Sequence, residues 1–260
     1  MSLRDCRNVK VLDVVPVGQS KRPGDFFELV LEYPGWGGWK PGQFVMVRPV
    51  SWGPELVWGR PFSICRGDEK SLTLFVQRVG RGTERLSQVL PGEDVTIWGP
   101  LGNSFAVEPE TPTLMLAGGI GIAPFCGYIE HHAAPENLKL FFAHRMPLEC
   151  YPYAAMTQKA QGQNMLEAQP EDLAGIIDQM GALIREYADG GLVLCCGPTP
   201  FMKTAQRFAL EHGARLQVSL ENRMACGVGA CLGCVCKDEK GHHTQVCTKG
   251  PIFWADKVEL

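Results

Sequence analysis

Five cysteines near the end of the chain constrain it most. Cys226, Cys231 and Cys234 stand at a C-x4-C-x2-C spacing, Cys236 follows, and Cys247 returns after a gap of 12 residues. The first three with Cys247 make the plant-type pattern of a [2Fe–2S] cluster, in which four thiolates converge on two bridged irons. Gly227, Gly229 and Gly233 lie among them. Glycines there let the backbone curl tightly and turn amides toward sulfur. Zinc is the main competitor, but zinc knuckles pair two C-x2-C elements, and only Cys231 and Cys234 have that spacing. A cysteine-rich loop without metal is the other alternative. Cys236, two residues beyond Cys234, faces the opposite side of an expected strand and reads as a packed thiol.

At 260 residues the chain accommodates two modest domains and an appendage. It carries eleven cysteines and a net charge of −3. No basic run or stripe points to nucleic acid. No apolar stretch is long enough for a bilayer span. The polar first ten residues do not form a signal peptide. Eleven thiols without an export signal point to a reducing, cytoplasmic setting.

Residues 1–106 read as short strands separated by Gly and Pro, an antiparallel β-barrel. Strands are expected at 9–17, 26–33, 44–47, 72–78 and 95–98. Within them lies Arg60-Pro61-Phe62-Ser63-Ile64. A flavin needs a cation for its pyrophosphate, an apolar face for its ring and a hydroxyl near the reactive edge. One extended segment offers all three. The same five residues also read as a surface Arg, a Pro turn and a core Phe. Phe75-Val76-Gln77 ends a strand, and Gly80-Arg81-Gly82-Thr83 opens a short helix with Thr83 as its N-cap. Such a helix start is a seat for phosphate, or simply a capped helix closing a barrel.

Residues 107–218 change pattern. A buried strand at 113–117 runs into Gly118-Gly119-Ile120-Gly121-Ile122-Ala123-Pro124 and a helix to His132. Further strands are expected at 137–144 and 192–196, with helices at 172–187 and 201–213. Strand–helix alternation implies a parallel-sheet α/β nucleotide-binding domain, with ligands at the strands' C-terminal ends. The glycine loop is not the strict dinucleotide fingerprint. His144 reads as a satisfied polar residue, and Arg145 as a solvated cation or a contact for a 2′-phosphate. Of the tandem Cys195 and Cys196, one packs inward and one faces the site. The stretch 161–170 carries little signal.

Taken together, the arginine-aromatic-serine segment, the Gly-Gly-x-Gly-x-x-Pro loop and the Cys196-Gly197 pair resemble the ferredoxin–NADP reductase superfamily, in the same order. The run from Glu221 to Cys234 closely resembles the electron-transfer subunits of NAD-dependent dihydroorotate dehydrogenase, type B. The resemblance implies FAD contacts from Arg60, Pro61, Phe62, Ser63, Phe75, Val76, Gln77, Gly82 and Thr83. It implies a nicotinamide-nucleotide loop of Gly118, Gly119, Gly121 and Pro124, with Cys196 where nicotinamide meets flavin. It assigns Cys226, Cys231, Cys234 and Cys247 to the cluster in a module spanning 219–260. The stretch 147–169 matches no part of the family pattern. The implied function is to pass electrons from dihydroorotate, by way of a partner's FMN, the [2Fe–2S] cluster and FAD, to NAD+ in pyrimidine biosynthesis. The implied partner is the FMN-containing catalytic subunit, in a heterotetramer. No protein acid or base is required for hydride transfer, so no catalytic residue is expected. The alternatives are a related flavin and iron–sulfur subunit of another redox complex, such as a hydrogenase or sulfur reductase, and a non-catalytic metal-binding scaffold.

Overall fold

The computed structural model describes residues 5–18 and 25–260; the remaining parts of the expected 1–106 unit lie outside the described residues. The first strands are β1 (Asp5–Pro16), β2 (Phe26–Glu32), β3 (Phe44–Pro49), β4 (Arg60–Ser63), β5 (Arg66–Gly67) and β6 (Ser71–Gln77). Helix α1 (Arg81–Leu86) and strand β7 (Asp94–Leu101) complete the unit. They form one antiparallel sheet in the order β4-β3-β7-β1-β2-β6-β5. Alternation drives its curl. Along β7, Val95, Ile97, Gly99 and Leu101 are buried while Thr96, Trp98 and Pro100 between them are more open. Val95 and Ile97, together with Val11, Leu29, Leu31, Val47, Leu72 and Leu74, fill the inside. The two ends of the sheet meet where the chain leaves β4. Ile64 N donates to Gln43 O at 3.0 Å, and the next amide, Cys65 N, donates to Thr73 O of β6 at 3.1 Å. Strand β4 hydrogen-bonds to β3 alone, an edge position that tolerates Pro61, which has no amide to donate.

The second unit has β8 (Thr113–Gly118), α2 (Ala123–His131), β9 (Leu138–His144), α3 (Tyr153–Met156), β10 (Gln161–Leu166), α4 (Asp172–Glu186), β11 (Leu192–Cys196), α5 (Thr199–His212) and β12 (Leu216–Ser219). These five strands are parallel, in the order β10-β9-β8-β11-β12. The order reverses between β8 and β11. That switch point is where open α/β sheets bind ligands, and Gly118 and Cys196 end the two strands there. Both central strands are buried almost throughout, as a sheet covered on both faces requires. Helix α5 stops at Gly213, whose φ of 70° a side chain would resist.

The tail contributes β13 (Val235–Asp238), β14 (His243–Gln245), α6 (Val246–Lys249), β15 (Ile252–Trp254) and β16 (Val258–Glu259). Strands β14, β13 and β16 form a small sheet of their own, whereas β15 pairs antiparallel with β12. One strand of the 219–260 stretch is therefore built into the α/β sheet. A single apolar cluster joins Phe44, Met46 and Leu101 of the barrel, Val193 and Val218 of the α/β sheet, and Cys234 and Cys247 of the tail.

Candidate functional site

The four thiols of the spacing pattern come together as two pairs. Cys226 and Cys231 share a side-chain hydrogen bond, as do Cys234 and Cys247. Two ligands per iron is what a binuclear cluster needs. Amides point at the sulfurs. Cys226 Sγ accepts from Val228 N at 3.5 Å and Cys231 N at 3.4 Å, Cys231 Sγ from Gly233 N at 3.5 Å, and Cys234 Sγ from Cys247 N at 3.4 Å. These donors suit sulfur carrying negative charge. Burial pushes the Cys226 thiol up, but the amides of Val228, Cys231 and Ala230 with the Cys231 thiol outweigh it and hold Cys226 at about 6. Cys247 is pushed up to about 12 by burial and then by its neighbour Cys234, so a metal there displaces a proton. The donor set fits a [2Fe–2S] cluster.

Cys236 lies on β13 outside this cage, half-buried against the shared apolar cluster. Burial first, then Cys234, raises its thiol.

The cage rests on the barrel. Trp98 Nε1 of β7 donates to Cys226 O at 2.9 Å. A Cβ on Gly227 would stand 2.6 Å from Met46 Cγ, so glycine is required for the approach to β3. Beside this contact lies a cleft of about 500 Å3, lined by Trp58, Arg60, Pro61, Glu221, Asn222, Arg223 and Met224. It runs from β4 to the segment leading into the thiol loop.

Arg60 is held at the cleft by its own neighbours. Its Nη1 donates to Trp58 O at 2.7 Å and Gly59 O at 3.3 Å, and its guanidinium lies 5.7 Å from the centre of the Trp52 ring. The rest of its fork is available for a phosphate, which a guanidinium matches in geometry. A Cβ on Gly82 would lie 2.6 Å from Arg60 Nε. Glycine at 82 thus keeps open the space where α1 meets Arg60, and the arrangement fits a flavin diphosphate. Arg60, Pro61, Phe62 and Ser63 are all half-buried, Phe62 against the barrel core. Phe75 and Val76 differ: Phe75 is interior against Phe26 and Tyr151, and Val76 sits in the barrel core. Gln77, which ends β6, is half-buried.

Thr83 is not the N-cap of α1. Gly80 holds that position and Thr83 is the third helical residue. Its Oγ1 accepts from Val79 N at 2.9 Å and Gly80 N at 3.2 Å. The hydroxyl reaches back over the first turn, the N3 half of a capping box, and fixes the loop ahead of the helix.

At the switch point two glycine loops pack backbone to backbone. A Cβ on Gly121 would lie 2.3 Å from Cys196 O, and one on Gly118 would lie 3.0 Å from Pro198. Gly119 has φ of 53° and open space before it. Pro124 sits in the first turn of α2, where no amide is missed. The loop can therefore offer main chain to a nucleotide. Cys195 points into the core and Cys196 to the other side of the sheet. Burial raises the Cys196 thiol to about 12, against a hydrogen bond with Ser219 and with help from Glu221, so it stays neutral.

A family model described as the iron-sulfur cluster binding domain of dihydroorotate dehydrogenase B matches residues 221–259. The dihydroorotate dehydrogenase B (NAD+) electron transfer subunit of Caldanaerobacter subterraneus subsp. tengcongensis is 33% identical over 241 residues, covering 90% of this chain and 92% of the relative. The subunit of the same name from Listeria monocytogenes is 30% identical over 254 residues, covering 94% and 97%. The chain belongs to the family of dihydroorotate dehydrogenase B electron transfer subunits. A solved structure of an NADH-dependent reduced ferredoxin-NADP oxidoreductase superposes with a TM-score of 0.80 at 23% identity, covering 96% of this chain and 89% of that one. The ferredoxin reductase of carbazole 1,9a-dioxygenase superposes at 0.66 and 20%, covering 81% and 67%. Both share the reductase fold.

His144 is buried and satisfied: its Nδ1 contacts Met146 O at 2.7 Å and its Nε2 contacts Asn164 Oδ1 at 3.3 Å. Arg145 is largely exposed and pairs with Glu167 at 2.6 Å. Trp58 and the run Asn222 to Met224 line the cleft although no periodicity marks them. The signal available for Trp58 was its place two residues before Arg60.

Proposed function

We propose that the chain is the electron-transfer subunit of an NAD-linked dihydroorotate dehydrogenase, acting in the cytoplasm with an FMN-bearing catalytic subunit in a heterotetramer. FAD would be held by Arg60, Pro61, Phe62 and Ser63, by the main chain of Phe75, Val76 and Gln77, and by Gly82 and Thr83. Gly118, Gly119, Gly121 and Pro124 would take the nicotinamide nucleotide, with the neutral Cys196 beside it. Cys226, Cys231, Cys234 and Cys247 would hold a [2Fe–2S] cluster. When bound, the cluster supplies a one-electron carrier and FAD the carrier that also exchanges two electrons with nicotinamide. The domain division would be 1–106, 107–218 and 219–260.

The observation that carries this reading is the Trp98 to Cys226 contact, which seats the thiol cage beside the cleft containing Arg60. The residues act by position: Arg60 fixes a diphosphate, the glycine loops admit a nucleotide backbone, and the amides compensate sulfur charge. No side chain is asked to move a proton during hydride transfer. No helix among the described residues is long and apolar enough to cross a membrane.

The test is Cys231→Ser in the complex. NADH should still bleach the flavin, while dihydroorotate-dependent NAD+ reduction falls at least about tenfold, the loss of about 1.4 kcal/mol in coupling. Normal coupled turnover in that variant, or purification of the native protein without an FMN-bearing partner, would overturn the proposal.

A further inference from the structure

Three residues in the thiol loop have left-handed backbones: Gly227 at φ 70°, Gly229 at 85° and Leu232 at 57°. Each is followed at once by an amide that donates to a cysteine sulfur. Val228 after Gly227 and Ala230 after Gly229 serve Cys226, and Gly233 after Leu232 serves Cys231. A left-handed residue reverses the direction of the next amide, and a row of such turns forms an anion-binding nest. The loop repeats one device three times.

Only the third copy uses a side chain. At the first two positions glycine is required by space as well as by φ. A Cβ on Gly227 would meet Met46 at 2.6 Å, and one on Gly229 would meet Thr248 Cγ2 at 2.8 Å. Leu232 is the sole non-glycine residue with positive φ among the described residues, and it is 62% exposed. It holds an unfavourable conformation for an L-residue with little packing to compensate. Cys234 and Cys247 are buried, whereas Cys231 is exposed. The Gly233 amide is therefore the polar partner of the thiol that water reaches most easily.

We propose that Leu232 is a positioning residue for the cluster: its left-handed backbone holds the Gly233 amide on Cys231 Sγ and so raises the reduction potential on the solvent-facing side of the cage. This rests on the cluster reading above. Hydrogen bonds to the sulfurs and solvent exposure both set the potentials of such clusters. The role belongs to the backbone angle at 232 and not to the isobutyl group, which makes the substitutions predictable.

The experiment is a potentiometric titration of the loaded full-length protein followed by electron paramagnetic resonance, with thermal unfolding of the same samples. Leu232→Gly and Leu232→Asn, both at ease with positive φ, should keep the wild-type midpoint potential, and Leu232→Gly should not lower the unfolding temperature. Leu232→Val, whose branched Cβ resists that region, should lower the potential and speed iron release. A shift of the potential in Leu232→Gly would overturn the proposal, because the side chain would then be the agent. So would an unchanged potential in Leu232→Val. If Leu232→Val does not load, the glycine and asparagine variants still decide. A wild-type chain that takes up no iron and sulfide overturns the cluster reading itself and this inference with it; a loaded chain that fails the variant pattern overturns only the inference.

Discussion

Arg60 and Gly82 are 22 positions apart and yet define one local geometry. The guanidinium is fixed by two carbonyls and an indole face, so it cannot swing aside without losing them. Gly82→Ala is expected to leave the fold intact, since alanine in a helix is better than glycine by about 0.5–1 kcal/mol. Its methyl, however, would displace Arg60 from the site. FAD affinity should fall about tenfold or more, about 1.4 kcal/mol, read by fluorescence titration of the apoprotein; unchanged affinity would show that Arg60 does not meet the diphosphate there. At this scale the sequence was most legible where chemistry forces a residue type. The thiol spacing, inside the stretch that the iron-sulfur domain model matches, is the example. It was least legible where a residue serves the backbone. Thr83 looks like an N-cap from its type, but it stands one turn in, and its hydroxyl takes the amides of Val79 and Gly80 ahead of the helix, not the first-turn amides a cap would take. Nothing in the string marks Leu232 as left-handed, because leucine has no preference for that conformation.

One element that was missed has few apolar residues. Strand β10 spans Gln161–Leu166 and is mostly exposed. It exists because the buried β9 offers it a parallel partner, a tertiary cause that local pattern does not carry. Strand β15 was hidden in another way. Three residues suffice, because β12 supplies the pairing. The tie that places it is Asn103, just beyond β7. Asn103 Nδ2 donates to Ile252 O at 2.7 Å and Lys249 O at 3.1 Å, and its Oδ1 accepts from Ile252 N at 2.9 Å. Asn103→Ala removes all three bonds and leaves half-buried main-chain groups unpaired. We expect a loss of about 2 kcal/mol, seen as a lower urea midpoint at unchanged slope. A variant as stable as the wild type would mean that β12 alone fixes β15. The central strands β8 and β11, by contrast, were legible, since a sheet covered on both faces demands continuous apolar runs.

At the scale of the molecule, the thiol loop is coupled to the cleft beside Arg60. The three sequence stretches were readable one by one, but their contact was not, because it depends on side chains that meet across 128 positions. Trp98 makes that contact. Its indole N–H holds Cys226 O, and its ring lies against Gly59, where a Cβ would come within 2.4 Å of Cη2. One side chain therefore spans from the residue before Arg60 to the first thiol of the loop. Trp98→Phe keeps an aromatic ring but removes the donor and shortens the span. A part-buried hydrogen bond of this kind contributes about 1 kcal/mol, so the fold should survive and both cofactors should still load. Reduction of an artificial acceptor by NADH, which needs only the flavin and nucleotide sites, should stay near wild type. Dihydroorotate-linked turnover should fall by several-fold, because the cage is no longer held at its place on the barrel. If the two activities fall together at equal cofactor content, Trp98 supports the flavin cleft alone; if neither falls, the loop is held by Gly227 against Met46 without it.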